Sequence, residues 1–308
     1  SLTFTFDPSF QYTLANGGGS TAISERDRQV EGAIFNGNAG VTAANGVDLN
    51  GDGDTLDTVR FYTPNTTNTR RYGITSSLIW QISDTQRIRA AYTWDYGRHR
   101  QTGEWSPLNA FGDPLDVFGG KDGYGPRVYN RDGFFLRQRD RFSIAKLQQL
   151  AIDYNGSFMD DMIRVNIGVR DPHFTRELNQ YCPTASSGFA YCTSETVGGT
   201  DANGYIFFVG HPSDKYVPAF SATKKYSKVL PNAGISFRPW GPEHVFYLSY
   251  AQGYSAPRTD NLYAYGKPLI DHGIPQIEPE TTNTWDLGYR YQTGTVRSEE
   301  HTSELQSH

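Results

Sequence analysis

The sequence predicts an all-β protein, an antiparallel transmembrane β-barrel fragment whose roughly eight long strands form a curved, incomplete barrel with long extracellular loops. Three observations predict it. Apolar and polar residues alternate with period two over long stretches. Aromatic residues make up 14% of the 308-residue chain, with 20 Tyr and 18 Phe, although the chain is hydrophilic on average. The connections between the alternating stretches switch between short and long.

The clearest strand has Ile163, Val165, Ile167 and Val169 against Arg164, Asn166, Gly168 and Arg170. A second sets Ile88, Ala90, Tyr92, Trp94 and Tyr96 against Arg87, Arg89, Thr93 and Asp95. A third sets Leu150, Ile152, Tyr154 and Phe158 against Gln149, Asp153, Asn155 and Ser157. A fourth sets Trp285, Leu287, Tyr289 and Tyr291 against Thr284, Asp286, Gly288 and Arg290. Similar stretches cover 2–14, 70–82, 229–239 and 244–254. Many run to a dozen residues or so, about 40 Å at about 3.3 Å per residue, against about 5–6 residues for an ordinary globular strand. One face carries the charges, and the other is apolar with Tyr and Trp near its ends.

Short turns fall at Ser83-Asp84-Thr85, Met159-Asp160-Asp161 and Pro239-Trp240-Gly241-Pro242, and long loops at roughly 15–69, 98–145, 178–224 and 256–279. Short periplasmic turns and long extracellular loops are the barrel asymmetry, and a soluble domain rarely carries loops of this length. An eight-stranded barrel can close on itself. The long loops favour part of a larger barrel instead, with open edges.

No apolar run is long enough for a transmembrane helix, which leaves spanning by strands open. The chain opens on Ser1-Leu2-Thr3 without a signal-peptide pattern, so truncation is the expectation. A net charge of -5 argues against a nucleic-acid partner. Cys182 and Cys192 share one polar stretch; they form a disulfide in an oxidising compartment or stay as two free thiols. Residues 297–308, Arg297 to His308, resemble the in-frame translation of a sequencing-library adapter. They are set apart as a non-native tail, leaving 1–296 as the barrel part.

Two late motifs carry a family resemblance. Leu248-Ser249-Tyr250-Ala251-Gln252-Gly253-Tyr254-Ser255-Ala256-Pro257, followed by Asp260-Asn261-Leu262-Tyr263, resembles a strand ending in Gly-aromatic-x-x-Pro and then Leu-Tyr. Ile277-Glu278-Pro279-Glu280, leading through Trp285-Asp286-Leu287-Gly288-Tyr289, is similar to a Leu-x-Pro-Glu box before a Glu-x-Gly-aromatic strand. Both are features of TonB-dependent outer-membrane receptors. The resemblance implies a 22-stranded barrel around an N-terminal plug. It also implies the outer membrane of a Gram-negative bacterium, lipid around the wall, and TonB coupling through a plug that this chain does not include. The implied cargo is a ferric siderophore or a similar scarce nutrient. A passive porin and a non-transporting adhesin barrel are the alternatives. A purely structural role for Pro257, Pro279, Glu280 and Arg290 is the competing explanation of the motifs.

Three constellations could carry chemistry. Asp48, Asn50, Asp52, Asp54 and Asp57, with Gly53 at the sixth position, resemble the start of a calcium loop, although Val59 stands where the closing Glu belongs. Calcium would stiffen an extracellular loop, as in some members of the resembled family. The alternative is an Asx-turn-rich tip, and no cofactor is required. Arg127, Tyr129, Arg131, Arg137 and Arg139 suit an anionic iron chelate, or else the loop packs on itself using Asp132 and Asp140. Arg87, Arg89, Arg164, Arg170, Arg238 and Arg290 share the polar face, towards a plug, an anion-selective lumen or pairing within it. No catalytic motif appears, and an enzyme is not expected.

Overall fold

The computed structural model describes residues 1–27, 34–35, 38–39, 42–43, 46–117, 125–130, 132–186, 188–264, 276–293 and 297–307. Its frame is one curved antiparallel sheet. The wall strands are β1 (Leu2–Asn16), β2 (Thr66–Ser83), β3 (Gln86–Thr102), β4 (Arg141–Phe158) and β5 (Ile163–Gln180). They continue as β6 (Phe220–Ser227), β7 (Leu230–Phe237), β8 (His244–Ser255), β9 (Glu280–Gln292) and β10 (Arg297–Ser307). Neighbours in sequence are neighbours in the sheet, except that β6 and β7 both pair with β5 and form one interrupted wall position. β1 and β10 lie at opposite ends of this path, so the sheet is open.

All eight expected strands are present. The register explains the alternation. One face lines up Phe4, Leu78, Ala90, Ile152, Val169 and Pro231, and further along Ile235, Leu248 and Leu287. On β4 this apolar stripe runs from Leu150 to Phe158, about 27 Å of extended chain, close to the roughly 25 Å band of an outer-membrane barrel. Its side chains stay exposed: Phe4 66%, Leu150 61%, Leu287 60%. In water this would be a costly apolar surface; in hydrocarbon it is the solvated one.

Four strands, β2 to β5, reach 17 or 18 residues at the loop end, further than alternation alone indicated. Above the stripe the outer face turns largely polar. Lys146 and Glu177, for example, form an ion pair of 2.5 Å on the apolar side of the wall. Backbone pairing continues there without the pattern that marks lipid. β6 has no apolar stripe for the same reason. Its break from β7 falls opposite Asp171 and Pro172 of β5, and Pro172 has no N–H to give to a ladder. Of the other wall-strand prolines, Pro8 lies on the edge strand β1, and Pro231 is the second residue of β7, before that strand begins to pair with β8.

Residues Arg297–Ser307, set apart from the barrel on sequence grounds, are extended here and pair with β9 from Gln292↔Arg297 to Thr282↔Ser307. An open sheet edge offers a row of unpaired backbone groups that an extended segment satisfies whatever its side chains.

The hydrophobic core lies in the loops rather than in the wall. Ile23, Val47, Leu49, Phe61, Trp105, Val128, Leu136 and Phe189 pack together. They come from three different long loops, so these loops form one cap. The disulfide Cys182–Cys192 closes the segment that joins this core to a second one. Phe189 lies edge-on to Trp105 at 4.9 Å, and Tyr191 packs with Phe208 and Tyr216 on the other side.

The cap uses one turn repeatedly. Asn109, Asn130 and Asp201 each accept, on a side-chain oxygen, the N–H groups two and four residues on. A glycine at positive φ follows three residues later, at Gly112, Gly133 and Gly204. This is the type I turn with a G1 bulge of a three-residue hairpin loop.

Candidate functional site

The inner, polar face carries the candidate site. Arg87, Arg89, Arg164, Arg170, Arg238 and Arg290 all fall on this face by register. Near the short turns, Asp161 binds Arg164, Arg238 (3.0 Å) and Ser157, so two of the six arginines share one carboxylate. A cavity of about 450 Å³ sits beside them, lined in part by Arg87, Asn155, Arg164, Asn166 and Tyr247. An amide relay runs along its wall: Asn232 donates to Asn166 at 3.2 Å, and Asn166 to Asn155 at 2.8 Å.

At the loop end, a cross-strand row runs Arg71, Gly97, Ala145, Arg176 over β2, β3, β4 and β5. Two small residues between two arginines leave a depression about 14 Å wide between the outer Cα positions, from three strand spacings of about 4.8 Å. A cavity of about 340 Å³ occupies it, bounded also by Asp95, His99, Phe174 and Thr259.

Thr259 begins the one helix among the described residues, α1 (Thr259–Ala264), which folds back against the inner wall. Tyr263 is 1% exposed; its hydroxyl accepts the N–H of Asn179 (3.0 Å) and bonds Ser143 (2.9 Å). Asp260 receives Gln101 at 3.0 Å and Arg139 at 3.2 Å, with Arg141 3.9 Å away. The two late motifs meet here. Leu262 and Tyr263 of the first pack with Leu178, Phe220 and Ile277, the last from the second motif. Gly253 pairs with Thr282, and a Cβ at Gly253 would overlap the Thr282 hydroxyl. The motifs therefore build a strut that holds the loop after β8 to the wall.

The loop residues singled out from the sequence do not form one exposed patch. Arg127 lies over the Phe135 ring at 4.1 Å, and Tyr129 packs against the same ring at 4.8 Å. Arg137 binds Asp140 at 2.8 Å, Asp140 also takes Arg100 at 2.5 Å, and Arg139 goes to the strut. Arg131 lies outside the described residues. Sequence reasoning missed Arg71, His99, Arg176, Asp260 and Tyr263 as a group, because only register across four strands assembles them.

In the acidic loop, Asp48 accepts the N–H groups of Gly51 and Gly53, both at positive φ. Asn50 bridges Asp52 and Asp57. Asp57 is raised above the usual carboxyl range by its hydrogen bond to Asp52, and Asp52 is lowered by the N–H of Asp54 and by Asp57. Glu25, fully buried and unremarked in the sequence, accepts the N–H groups of Leu49 and Asp57. One oxygen each from Glu25, Asp54 and Asp57 lies within 4.8 Å of the others.

A sheet with an apolar band on one face, arginines on the other and folded loops at one end is the wall of a β-barrel of the membrane type. The chain belongs to the TonB dependent receptor-like β-barrel family, which matches residues 1–298 and leaves 299–308 outside. No curated protein matches it by sequence. Among solved structures it is similar to the ferric-catecholate import receptor Fiu of E. coli K12, in its closed form, at 11% identity and TM-score 0.50, over 99% of this chain and 38% of that one. The siderophore receptor PiuA of Acinetobacter baumannii aligns at 13% identity and TM-score 0.48, over 94% and 35%. The ferric yersiniabactin uptake receptor FyuA of Yersinia pestis aligns at 12% and 0.45, over 81% and 32%. The chain thus spans about a third of the length of these structures.

Proposed function

We propose that this chain forms part of the wall and extracellular cap of a TonB-dependent transporter in a Gram-negative outer membrane, importing a ferric siderophore or a comparable scarce nutrient. The observation that carries this is the inner face: arginines of β2, β3, β5 and β9, with Arg238 just after β7, line a wall that also holds two cavities, beneath loops that pack as one cap. Such a wall suits an anionic chelate moving past it and acidic groups of a plug docked against it. The small side chains at mid-height, among them Ala91, Ala151, Gly168, Gly234 and Gly288, leave room for a plug surface.

The test uses the complete reading frame in a strain lacking its own ferric-chelate receptors. Uptake of at least one ferric chelate that disappears when TonB is deleted supports the proposal. Uptake that persists without TonB marks a passive pore, and growth that never depends on the gene under iron limitation marks a surface protein without transport.

We also propose a structural calcium ion in the loop Asp48–Asp57. Glu25, Asp54 and Asp57 supply hard oxygens already gathered, and Asn50 and Asp52 lie beside them. Asp48 lies outside this gathered set and holds the turn through the N–H groups of Gly51 and Gly53. Calcium should slow proteolysis of this loop and chelator should restore it; equal cleavage under both conditions removes the ion from the proposal.

A further inference from the structure

The charges of the Arg71–Arg176 row do not balance. Arg71 is paired with Asp95 at 2.7 Å. Arg176 is half-buried and has no carboxylate within ion-pair reach among the described residues; its guanidinium rests 5.5 Å from the Phe174 ring. The carboxylate acting on it, Asp95, is already paired with Arg71; holding a partly desolvated cation on a shared charge alone is unfavourable, and this one lines a cavity of about 340 Å³. The cavity floor is Gly97 and Ala145, which have no side chain long enough to fill it. A Cβ at Gly97 would meet only the Ala145 carbonyl oxygen, at 3.8 Å. Beside the floor, His99 Nδ1 and Thr69 Oγ1 are 2.6 Å apart, leaving Nε2 as the second polar atom of the ring. One side is closed by Thr259 of the strut.

We infer that this recess binds the carboxylate of a metal chelate, with the Arg176 fork taking two oxygens side by side and Phe174 flanking it. The inference rests on the transport reading above and narrows its cargo to carboxylate-bearing chelates. Carboxylate is favoured because its two oxygens match the planar fork of one guanidinium, and its charge offsets the one Asp95 leaves uncompensated. A neutral hydroxamate chelate brings no such charge.

The complete receptor, purified in detergent, is tested by equilibrium dialysis against three radio-iron chelates: ferric citrate, an anionic ferric tricatecholate, and neutral ferrichrome. Ferric citrate should bind most tightly. Arg176→Gln should weaken it by roughly tenfold to a hundredfold, as for loss of a charge-assisted hydrogen bond, with Arg176→Lys recovering part. Gly97→Leu fills the floor without altering charge and should also abolish ferric citrate binding, which keeps the test open if Arg176→Gln does not reach the membrane. Unchanged citrate affinity in either variant overturns the recess. Tighter binding of the tricatecholate or ferrichrome than of citrate overturns the carboxylate assignment. Failure of the unaltered receptor to take up any ferric chelate overturns the transport reading instead.

Discussion

Replacing Cys182 and Cys192 together by Ser should loosen the cap without opening the wall. The bond spans a sequence separation of 10. In the chain-entropy treatment, releasing a loop of that size gives the open state about 2.7 kcal/mol of conformational freedom. The segment inside the loop bears Phe189 and Tyr191, 8% and 7% exposed, which enter different cores. Opening it requires both rings to leave, at about 1.5–3 kcal/mol each, so the segment stays mostly closed without the disulfide. What changes is how often it opens. A difference of about 2.7 kcal/mol corresponds to about a hundredfold loss of amide protection. Hydrogen exchange followed by mass spectrometry on the membrane-embedded protein measures this directly. Exchange should accelerate across 183–191 and in the Val128–Leu136 segment, where Asn130 donates to the Cys192 carbonyl at 2.8 Å. The strands β3, β4 and β5 should be unaffected within the apolar band. Unchanged exchange at 183–191 would falsify the view that the disulfide couples the two cores, and an equal rise throughout β4 would show that cap and wall unfold together.

Tyr263→Phe removes the acceptor of the Asn179 N–H while keeping the ring, so the strut should open about 5- to 150-fold more often, for a cost of about 1–3 kcal/mol; unaltered exchange of the Asn179 amide would contradict this. Gly103→Ala should destabilise the junction between β3 and the cap by about 1–3 kcal/mol, because φ there is 133° and a Cβ would overlap the Pro64 carbonyl. Protease resistance of the 104–117 segment reports it, and resistance equal to that of the parent protein would count against it. Asp161, in the turn between β4 and β5, is held below the usual carboxylate range by Arg164 first, then Ser157 and Arg238. A depressed folded value means its contribution is complete above the unfolded value near about 4 and disappears as pH falls through the folded one. Asp161→Asn should therefore unfold more readily in detergent at neutral pH, with the gap from the parent closing under strong acid; a gap independent of pH would show that the carboxylate charge is irrelevant.

That turn shows one limit of what the sequence displays. Met159-Asp160-Asp161 is recognisable as a tight connection, but its conformation is not. All three residues take positive φ, at 54°, 52° and 71°, which costs a side-chain-bearing residue like Met159 more than it would cost glycine. The compensating contacts come from Ser157, Arg164 and Arg238, and the last of these belongs to a later hairpin. The acidic loop shows another limit. Its ligand pattern is visible in the chain, yet the buried carboxylate that organises it, Glu25, sits 24 residues before Leu49 with no local signal. The arginines of the 98–145 loop were visible as a set. Asp140 was visible as a partner for a loop packed on itself, whereas Phe135 as a ring for Arg127 and Asp260 for Arg139 emerge only on folding; the contacts to Asp140 and Asp260 remove a guanidinium each from the pool free to meet a ligand.

The strands were legible for a physical reason that also sets where legibility stops. Within a hairpin closed by a short turn, register is a reflection about the turn. Arg71 and Gly97 are mirror positions about Asp84, and Ala145 and Arg176 are mirror positions about the Asp160–Asp161 bond. Each half of the recess was therefore available from sequence once the turns were placed. The join between the halves, Gly97 opposite Ala145, crosses the long 103–140 loop, where chain length no longer fixes the register. What fixes it is the requirement that apolar residues of both hairpins share one face and one height. That sets Ala90 beside Ile152 and Ile88 beside Tyr154. A shift of one residue would turn Arg89 and Asp153 towards lipid, and a shift of two would put the ends of the stripe out of step with the band. The lipid side of the wall thus determines which polar residues meet on the lumen side, and the recess between Arg71 and Arg176 follows from the fit of Leu150, Ile152 and Tyr154 to the membrane.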